Sequence, residues 1–302
     1  MIRDLRTAYW RAPAPASHSL AFSRDDITRA AIVARESGPV DHALTIAITS
    51  PRSITCKRGF ASIFAAHLAA RVAPERSSVC VVDTDIESRD VGIRFDVTAP
   101  TLLDVANGVT LRDSTVQLSE VVARVDPPGV YVLPTRLPQS ALVPLLHKKT
   151  TALLPHLRAA FDFVVIDAPV SVGLGAYDWE RAMLRQVDVL LVAATAEASS
   201  LGGVLRYLNA IAAAKNNGAL PPTFDAHVVL TGRDEDGTRS LLTEADIERK
   251  LRGIPVIASV PQLWGRQRPE TPLDIGMQAS LHREFAAIVD RVTEDLRARR
   301  AH

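Results

Sequence analysis

Apolar positions along this chain follow two alternating rhythms. Short continuous apolar runs at 43–49, 78–83, 129–134, 162–167, 187–193, 226–230 and 254–261 read as buried strands. A strand covered on both faces has no polar side to show, so its sequence does not alternate. Between these runs the apolar residues spread out to steps of three and four, the period of a helix that lays one face on a core. That spacing predicts helices over 60–72, 142–161, 177–186 and 201–215, with Thr101–Ala106 helical as well. A final stripe of Leu281, Phe285, Ile288, Val289, Val292 and Leu296 predicts a closing helix, read as core cover and not as a membrane anchor. Strands alternating with amphipathic helices predict an α/β fold: a three-layer, doubly wound, mostly parallel sheet with helices on both faces.

The first residues break this pattern. The Ala-Pro-Ala-Pro and Ser-His-Ser stretches within 1–22 read as an arm or linker. Ser23–Arg35 reads as a short helix with Ser23 as N-cap and Asp25 and Asp26 in its first turn. The expected organisation is an arm and short helix over 1–41, then one domain over 42–302.

The rest of the chain is arranged around 43–72. Its strand (Leu44, Ile46, Ile48) stops at Ser50-Pro51, and the pattern resumes as a helix with Phe60, Ile63, Phe64, His67, Leu68 and Val72 on one face. Lys57 stands just before that helix. Strand, loop and helix with a lysine at the loop's end is the layout of a phosphate-binding loop. Such a loop uses glycines so that successive N–H groups can curl around phosphate oxygens with no Cβ in the way. Here Ser53, Ile54, Thr55 and Cys56 fill that stretch, and Arg58, not a magnesium-binding Ser or Thr, follows the lysine. Two further signals fall at strand ends, where parallel sheets place their ligands: the Asp83/Asp85 pair and Asp167. Each aspartate alone reads as a cap or a solvated charge. Together with Lys57 they point to one site.

Composition narrows the function classes. With 302 residues, 47% hydrophobic and 23% charged, the chain can bury a full core and is not of disordered composition. No apolar run reaches the length of a membrane span, and no signal-peptide pattern opens the sequence. A net charge of +1 leaves nucleic-acid binding to a local patch. The two cysteines, Cys56 and Cys80, form no C-x-x-C and fit a reducing cytoplasm. No His/Cys/Asp set has zinc spacing, and the eight histidines give no triad. Arg297, Arg299 and Arg300 make a basic tail, read first as a solvated helix end favourable to the dipole and second as a foothold on DNA or anionic lipid.

The three site segments in order resemble the deviant Walker A ATPases of the MinD/ParA (SIMIBI) group, and within it the septum-site proteins and the pilus-assembly proteins of CpaE/TadZ type. The family's K-G-G-V-G-K-T-T loop falls on RSITCKRG, Arg52 to Gly59. VVDTDIESRDVG resembles its D-x-D switch segment, and FDFVVIDAPVSVGLG its Walker B and switch II. DVLLVAATAEASSL, the 254–261 strand and a later PLDIG also fit, so the resemblance covers about 42–297. It implies a P-loop NTPase-like fold, with ATP held by Arg52, Ser53, Ile54, Thr55, Cys56, Lys57, Arg58, Gly59 and Asp167, and its base near Thr231, where the family has an asparagine. It implies Mg²⁺ on Asp83 and Asp167, Asp85 serving the attacking water, and Arg52 in place of the lysine that reaches across a dimer.

The departures from the family bear on activity. Arg52 keeps a cation but changes its shape and reach. Arg58 cannot coordinate a hard cation. It either supplies in cis the charge that magnesium would bring, or pairs with Asp83, Asp85 or Asp167 in a decayed site. The resulting expectation is a pseudo-ATPase with ATP binding weak or absent and magnesium uncertain. It would serve as a homodimeric positioning or scaffold factor for cell division, pilus or secretion, or partition machinery. It would bind a protein partner and be cytoplasmic, at most peripheral to membrane or nucleoid through its basic tail. A slow Mg-ATP-hydrolysing ATPase that cycles between monomer and dimer is the alternative, and a non-specific DNA-binding partition factor is the second.

Overall fold

The computed structural model describes residues 43–51, 57, 59–85, 90–99, 101–102, 122–126, 129–135, 143–170, 178–233, 242–261 and 285–294. In chain order the strands are β1 (Leu44–Thr49), β2 (Val79–Asp83), β3 (Ala123–Val125), β4 (Val130–Leu133), β5 (Phe163–Asp167), β6 (Val189–Ala194), β7 (Asp225–Arg233) and β8 (Val256–Pro261). The helices are α1 (Phe60–Val72), α2 (Asp90–Arg94), α3 (Val143–Ala160), α4 (Asp178–Leu184), α5 (Ala198–Asn216) and α6 (Glu244–Leu251). A seventh, α7, covers 285–294. The predicted arm and helix of 1–41, most of the predicted 101–106 helix and the basic tail lie outside the described residues.

All eight strands form one sheet in the order β3-β4-β2-β5-β1-β6-β7-β8. Every pairing is parallel except that of β3 with β4. The continuous apolar runs have the cause inferred from sequence, since every residue of β1, β2, β5 and β6 is buried. Successive side chains go to opposite faces. Leu44, Ile46 and Ile48 therefore join Val79, Val81, Phe163, Val165, Val189 and Leu191 in one core. Cys80, Val82, Val164, Ile166, Leu190 and Val192 join the other. α1 and α7 cover the first face, and α3, α4, α5 and α6 cover the second. The sheet is thus doubly wound, as expected.

β3, α2 and α6 are absent from the sequence reading, and α1 differs from it in burial. β3 is a three-residue edge strand whose middle residue is exposed, so it carries no apolar run. α1 is buried on almost every side and not on one face, with Ala61, Ser62, Ala65, Ala66 and Ala69 enclosed beside the large residues. The cause is α7: the Phe285 ring lies 5.3 Å from Phe60 and is stacked on His67 at 5.1 Å. Phe285, Ile288, Val289 and Val292 of the closing helix are all buried in the core.

Candidate functional site

The sheet delivers its site residues through strand ends. β5 lies between β1 and β2, and the β2–β5 register sets Asp83 directly beside Asp167. The turn after β2 is pinned to β5 by Thr84, whose backbone N–H and hydroxyl both donate to the Asp167 carbonyl, at 3.0 and 2.8 Å. That turn carries Asp85 inward, and its N–H donates to Asp83 Oδ1 at 3.0 Å. On the other side the Ala168 N–H donates to the Ile48 carbonyl at 3.0 Å, and the Thr49 hydroxyl donates to the Pro169 carbonyl at 2.8 Å. These bonds hold the ends of β1, β2 and β5 at one level.

The lysine enters from the start of α1. Gly59, the helix N-cap, has φ 77°, a left-handed conformation that a side chain would strain. Its carbonyl accepts from the Ile63 N–H at 3.0 Å, which opens the helix. Two residues earlier, Lys57 is only 2% exposed. Its Nζ lies 2.5 Å from Asp167 Oδ1 and 2.7 Å from Asp85 Oδ2.

Electrostatics explains why this arrangement persists. Burial by itself would discharge Lys57, and it is the largest single influence on the group. The attraction of Asp167 and then Asp85 outweighs it, so the ammonium is held above its ordinary range. Asp83 goes the other way for a carboxylate. Burial first, and then the charge of Asp167, push its pKa well above 3.8, with Lys57 offsetting only part. Its Oδ2 is buried and has no hydrogen-bond partner among the described residues. Against three buried carboxyls the described residues thus set one ammonium, that of Lys57.

A resident magnesium ion does not fit this donor set. Mg²⁺ takes octahedral oxygen ligands, mostly one or two carboxylates plus water and phosphate. Asp85 and Asp167 are committed to Lys57, burial disfavours the charged form of Asp83 that a cation would need, and the residue after the lysine is an arginine, which has no lone pair to give. Among the described residues no cluster of three His, Cys, Asp or Glu side chains is disposed to hold a metal.

Of the residues singled out by sequence, the fold brings Lys57, Asp83, Asp85 and Asp167 together and uses Gly59 to start the helix. Thr231 stands apart at the end of β7, where its hydroxyl donates to the Ala194 carbonyl at 3.4 Å. Arg52, Ser53, Ile54, Thr55, Cys56 and Arg58 lie outside the described residues. Two participants are absent from the sequence reading. Thr84 fixes the acidic turn and Thr49 ties β1 to β5. A hydroxyl residue inside the Asp-x-Asp triplet was the signal for the first; the second carries none.

A lysine at a strand–loop–helix junction, facing strand-end aspartates of a parallel sheet, defines a protein of the P-loop NTPase fold. No family model matches the sequence. Septum site-determining protein MinD of Helicobacter pylori is 26% identical over 222 residues, which is 73% of this chain and 78% of that protein. Among solved structures, MinD in the MinC:MinD cell division complex of Aquifex aeolicus superposes with TM-score 0.61 at 15% identity, covering 83% of this chain and 96% of that one. MinD of Pyrococcus horikoshii, in complex with Mg-ADP, gives TM-score 0.61 at 16% identity over the same shares. A ParA family ATPase of Chlorobium tepidum gives TM-score 0.61 at 17% identity, over 83% of this chain and 98% of that one. The chain has the fold of these MinD and ParA proteins and is similar to MinD in sequence over most of its length.

Proposed function

We propose that this protein is a pseudo-ATPase of the MinD/ParA group, which positions or scaffolds a cell-division, pilus or partition machine without turning over nucleotide. The capture of Lys57 carries this reading. An ammonium that must release Asp167 and Asp85 before it can meet a phosphate carries a penalty which an open loop lysine does not, and breaking a buried pair costs on the order of 3–5 kcal/mol. Affinity falls tenfold for each ~1.4 kcal/mol. The sequence adds two further costs in the same direction: side chains at Ser53, Ile54 and Cys56 where a phosphate cradle needs bare backbone, and Arg58 in place of the magnesium ligand.

The related MinD of Aquifex aeolicus assembles with MinC, and this chain in turn is proposed to act by holding a protein partner. It does so as a homodimer, through the face that carries 50–58 and 83–90. Ile93 of α2, 74% exposed just after that stretch, supplies an apolar contact there. The experiment is titration calorimetry with ATP, with and without Mg²⁺, beside a phosphate-release assay. The expected result is no release, and binding that is absent or indifferent to magnesium. A variant carrying Ser53→Gly, Ile54→Gly, Cys56→Gly and Arg58→Thr recovers affinity if loop chemistry is the cause. Mg²⁺-dependent hydrolysis that Lys57→Ala abolishes would replace the proposal with a slow ATPase. Light scattering that gives a monomer at tens of micromolar would remove the dimer.

A further inference from the structure

Carboxylates buried together need a cation, and the contacts of Lys57 say which one serves here. Its Nζ lies 2.7 Å from Asp85 Oδ2 and 2.5 Å from Asp167 Oδ1, and none of these side chains is more than 5% exposed. The two oxygens come from different elements, Asp167 from the end of β5 and Asp85 from the turn that Thr84 pins to it. A hard divalent metal makes the same kind of contact, drawing one carboxylate oxygen from each of two acidic residues. A third carboxyl adjoins the pair. Asp83 stands directly beside Asp167 in the β2–β5 register and is fully buried. Its Oδ1 accepts from the Asp85 N–H at 3.0 Å, and its Oδ2 has no hydrogen-bond partner among the described residues. A buried carboxyl oxygen without a donor is ligand capacity that the ammonium leaves unused.

Charge decides between lysine and metal. A unit positive charge within ~4 Å of a dication weakens its binding by about a hundredfold or more, even at the effective dielectric of a protein surface. While Lys57 stays, the cluster therefore excludes a divalent ion. Without it, the freed oxygens of Asp85 and Asp167, with Asp83 Oδ2 beside them, make an all-oxygen donor set that suits Mg²⁺ or Mn²⁺, water completing the shell. We propose that Lys57 is the resident cation of this cluster and takes the place of a divalent metal, so that the acidic turn after β2 and the end of β5 are held together without metal or nucleotide. This role builds on the pseudo-ATPase reading of the same site and adds what keeps the cluster assembled. The site then has one state, indifferent to Mg²⁺.

The test uses the full chain and Mn²⁺ alone, followed by the loss of the free ion's paramagnetic resonance signal. The native chain leaves that signal intact, and its melting temperature does not move in millimolar Mn²⁺. Lys57→Ala binds Mn²⁺ about a hundredfold or more tightly than the native chain does. In Mn²⁺ it also recovers part of the melting temperature it has lost, as a ligand of the folded state alone requires. Asp85→Asn and Asp167→Asn added to Lys57→Ala abolish the binding, which places the metal in the cluster and not on the surface. Native binding that the same two Asn substitutions remove overturns the proposal. So does a folded Lys57→Ala that takes no more Mn²⁺ than the native chain. Should Lys57→Ala not fold alone, refolding in Mn²⁺ decides: a recovered fold upholds the proposal and a chain that stays unfolded overturns it. No nucleotide is present, so the two readings fail separately. ATP hydrolysis by the native chain would end the pseudo-ATPase reading without bringing Mn²⁺ to the nucleotide-free cluster. Metal binding by the native cluster would remove Lys57 as its cation without making the protein an ATPase.

Discussion

The two ends of the sheet use aspartate in opposite ways. At the amino ends, each carboxylate answers donors of its own, on a neighbouring strand for Asp162 and Asp188 and on its own strand for Asp225. Asp162 Oδ2 accepts from the Ser78 N–H at 2.8 Å and its hydroxyl at 3.0 Å. Asp188 Oδ2 accepts from the Thr45 N–H at 2.8 Å and lies 3.5 Å from Arg158 Nη1, which in turn donates to the Gln186 carbonyl at 2.6 Å. Asp225 is half-exposed and sits 3.0 Å from His227 Nε2, whose hydrogen bond holds its carboxyl below the ordinary range. At the carboxyl ends, three buried aspartates face one another around a single lysine. The first arrangement is structural capping: separate charges, each with its own donor and partial access to water. The second concentrates like charges where water does not reach, an arrangement that only a counter-charge makes tolerable. Clustered carboxyls mark the site, and dispersed, satisfied ones mark the scaffold.

Removing the lysine should separate the two ends most sharply. Lys57→Met leaves Asp85 and Asp167 buried without their cation, and breaking a buried pair in this way costs ~3–5 kcal/mol. Thermal or urea unfolding should show a large loss, and Asp167→Ala a loss of the same kind from the other partner. A silent Lys57→Met would mean that the cluster is hydrated and the contrast false. At the amino end Asp188→Ala strands the Thr45 N–H and should cost about 1–3 kcal/mol, as a single unsatisfied donor does. A loss as large as that of Lys57→Met would show that the two ends are not different in kind.

The smallest of these effects has the opposite sign. Because the folded Asp83 carboxyl titrates above 3.8, the native state binds a proton that the unfolded chain has released. Stability from this group therefore falls as pH rises from about 4 towards its folded value. Asp83→Asn keeps an oxygen for the Asp85 N–H and removes that penalty. Its melting temperature should exceed that of the native chain at pH 7 and converge with it near pH 4. A variant less stable at pH 7 would show that Asp83 is ionised and stabilised by a cation not among the described residues.

The sequence pattern made the scaffold legible for a physical reason. β1, β2, β5 and β6 are buried along their whole length, and burial on both faces leaves short continuous apolar runs, bounded by turns, that alternate with helical spacing. α6 went unread although its signal was present. Thr243 and Asp246 form a capping box, in which the Thr243 hydroxyl accepts from the Asp246 N–H at 3.2 Å and Asp246 Oδ2 accepts from the Thr243 N–H at 3.2 Å. Only Ile247 and Leu251 of that helix are buried, too few to set up a periodic stripe. At the site, the sequence supplied Lys57, Asp83, Asp85 and Asp167 but not the full set of contacts among them, and Arg58, read as an alternative partner of the aspartates, lies outside the described residues. Whether an ammonium turns to a phosphate or to its own protein depends on how segments 110 residues apart share charge in a buried space. Spacing along the chain does not encode that.

Lys57 faces inward onto Asp85 and Asp167, and its side-chain nitrogen can be observed directly. In a sample labelled with ¹⁵N at lysine Nζ, an ammonium held by two buried carboxylates exchanges its protons slowly and gives a resolved signal, assigned by its loss in Lys57→Arg. The expected result is that this signal is present in the free protein and does not move on titration with millimolar Mg-ATP. A Lys57 signal that is absent from the free protein, or that shifts saturably with Mg-ATP, would contradict the claim that the lysine belongs to Asp85 and Asp167.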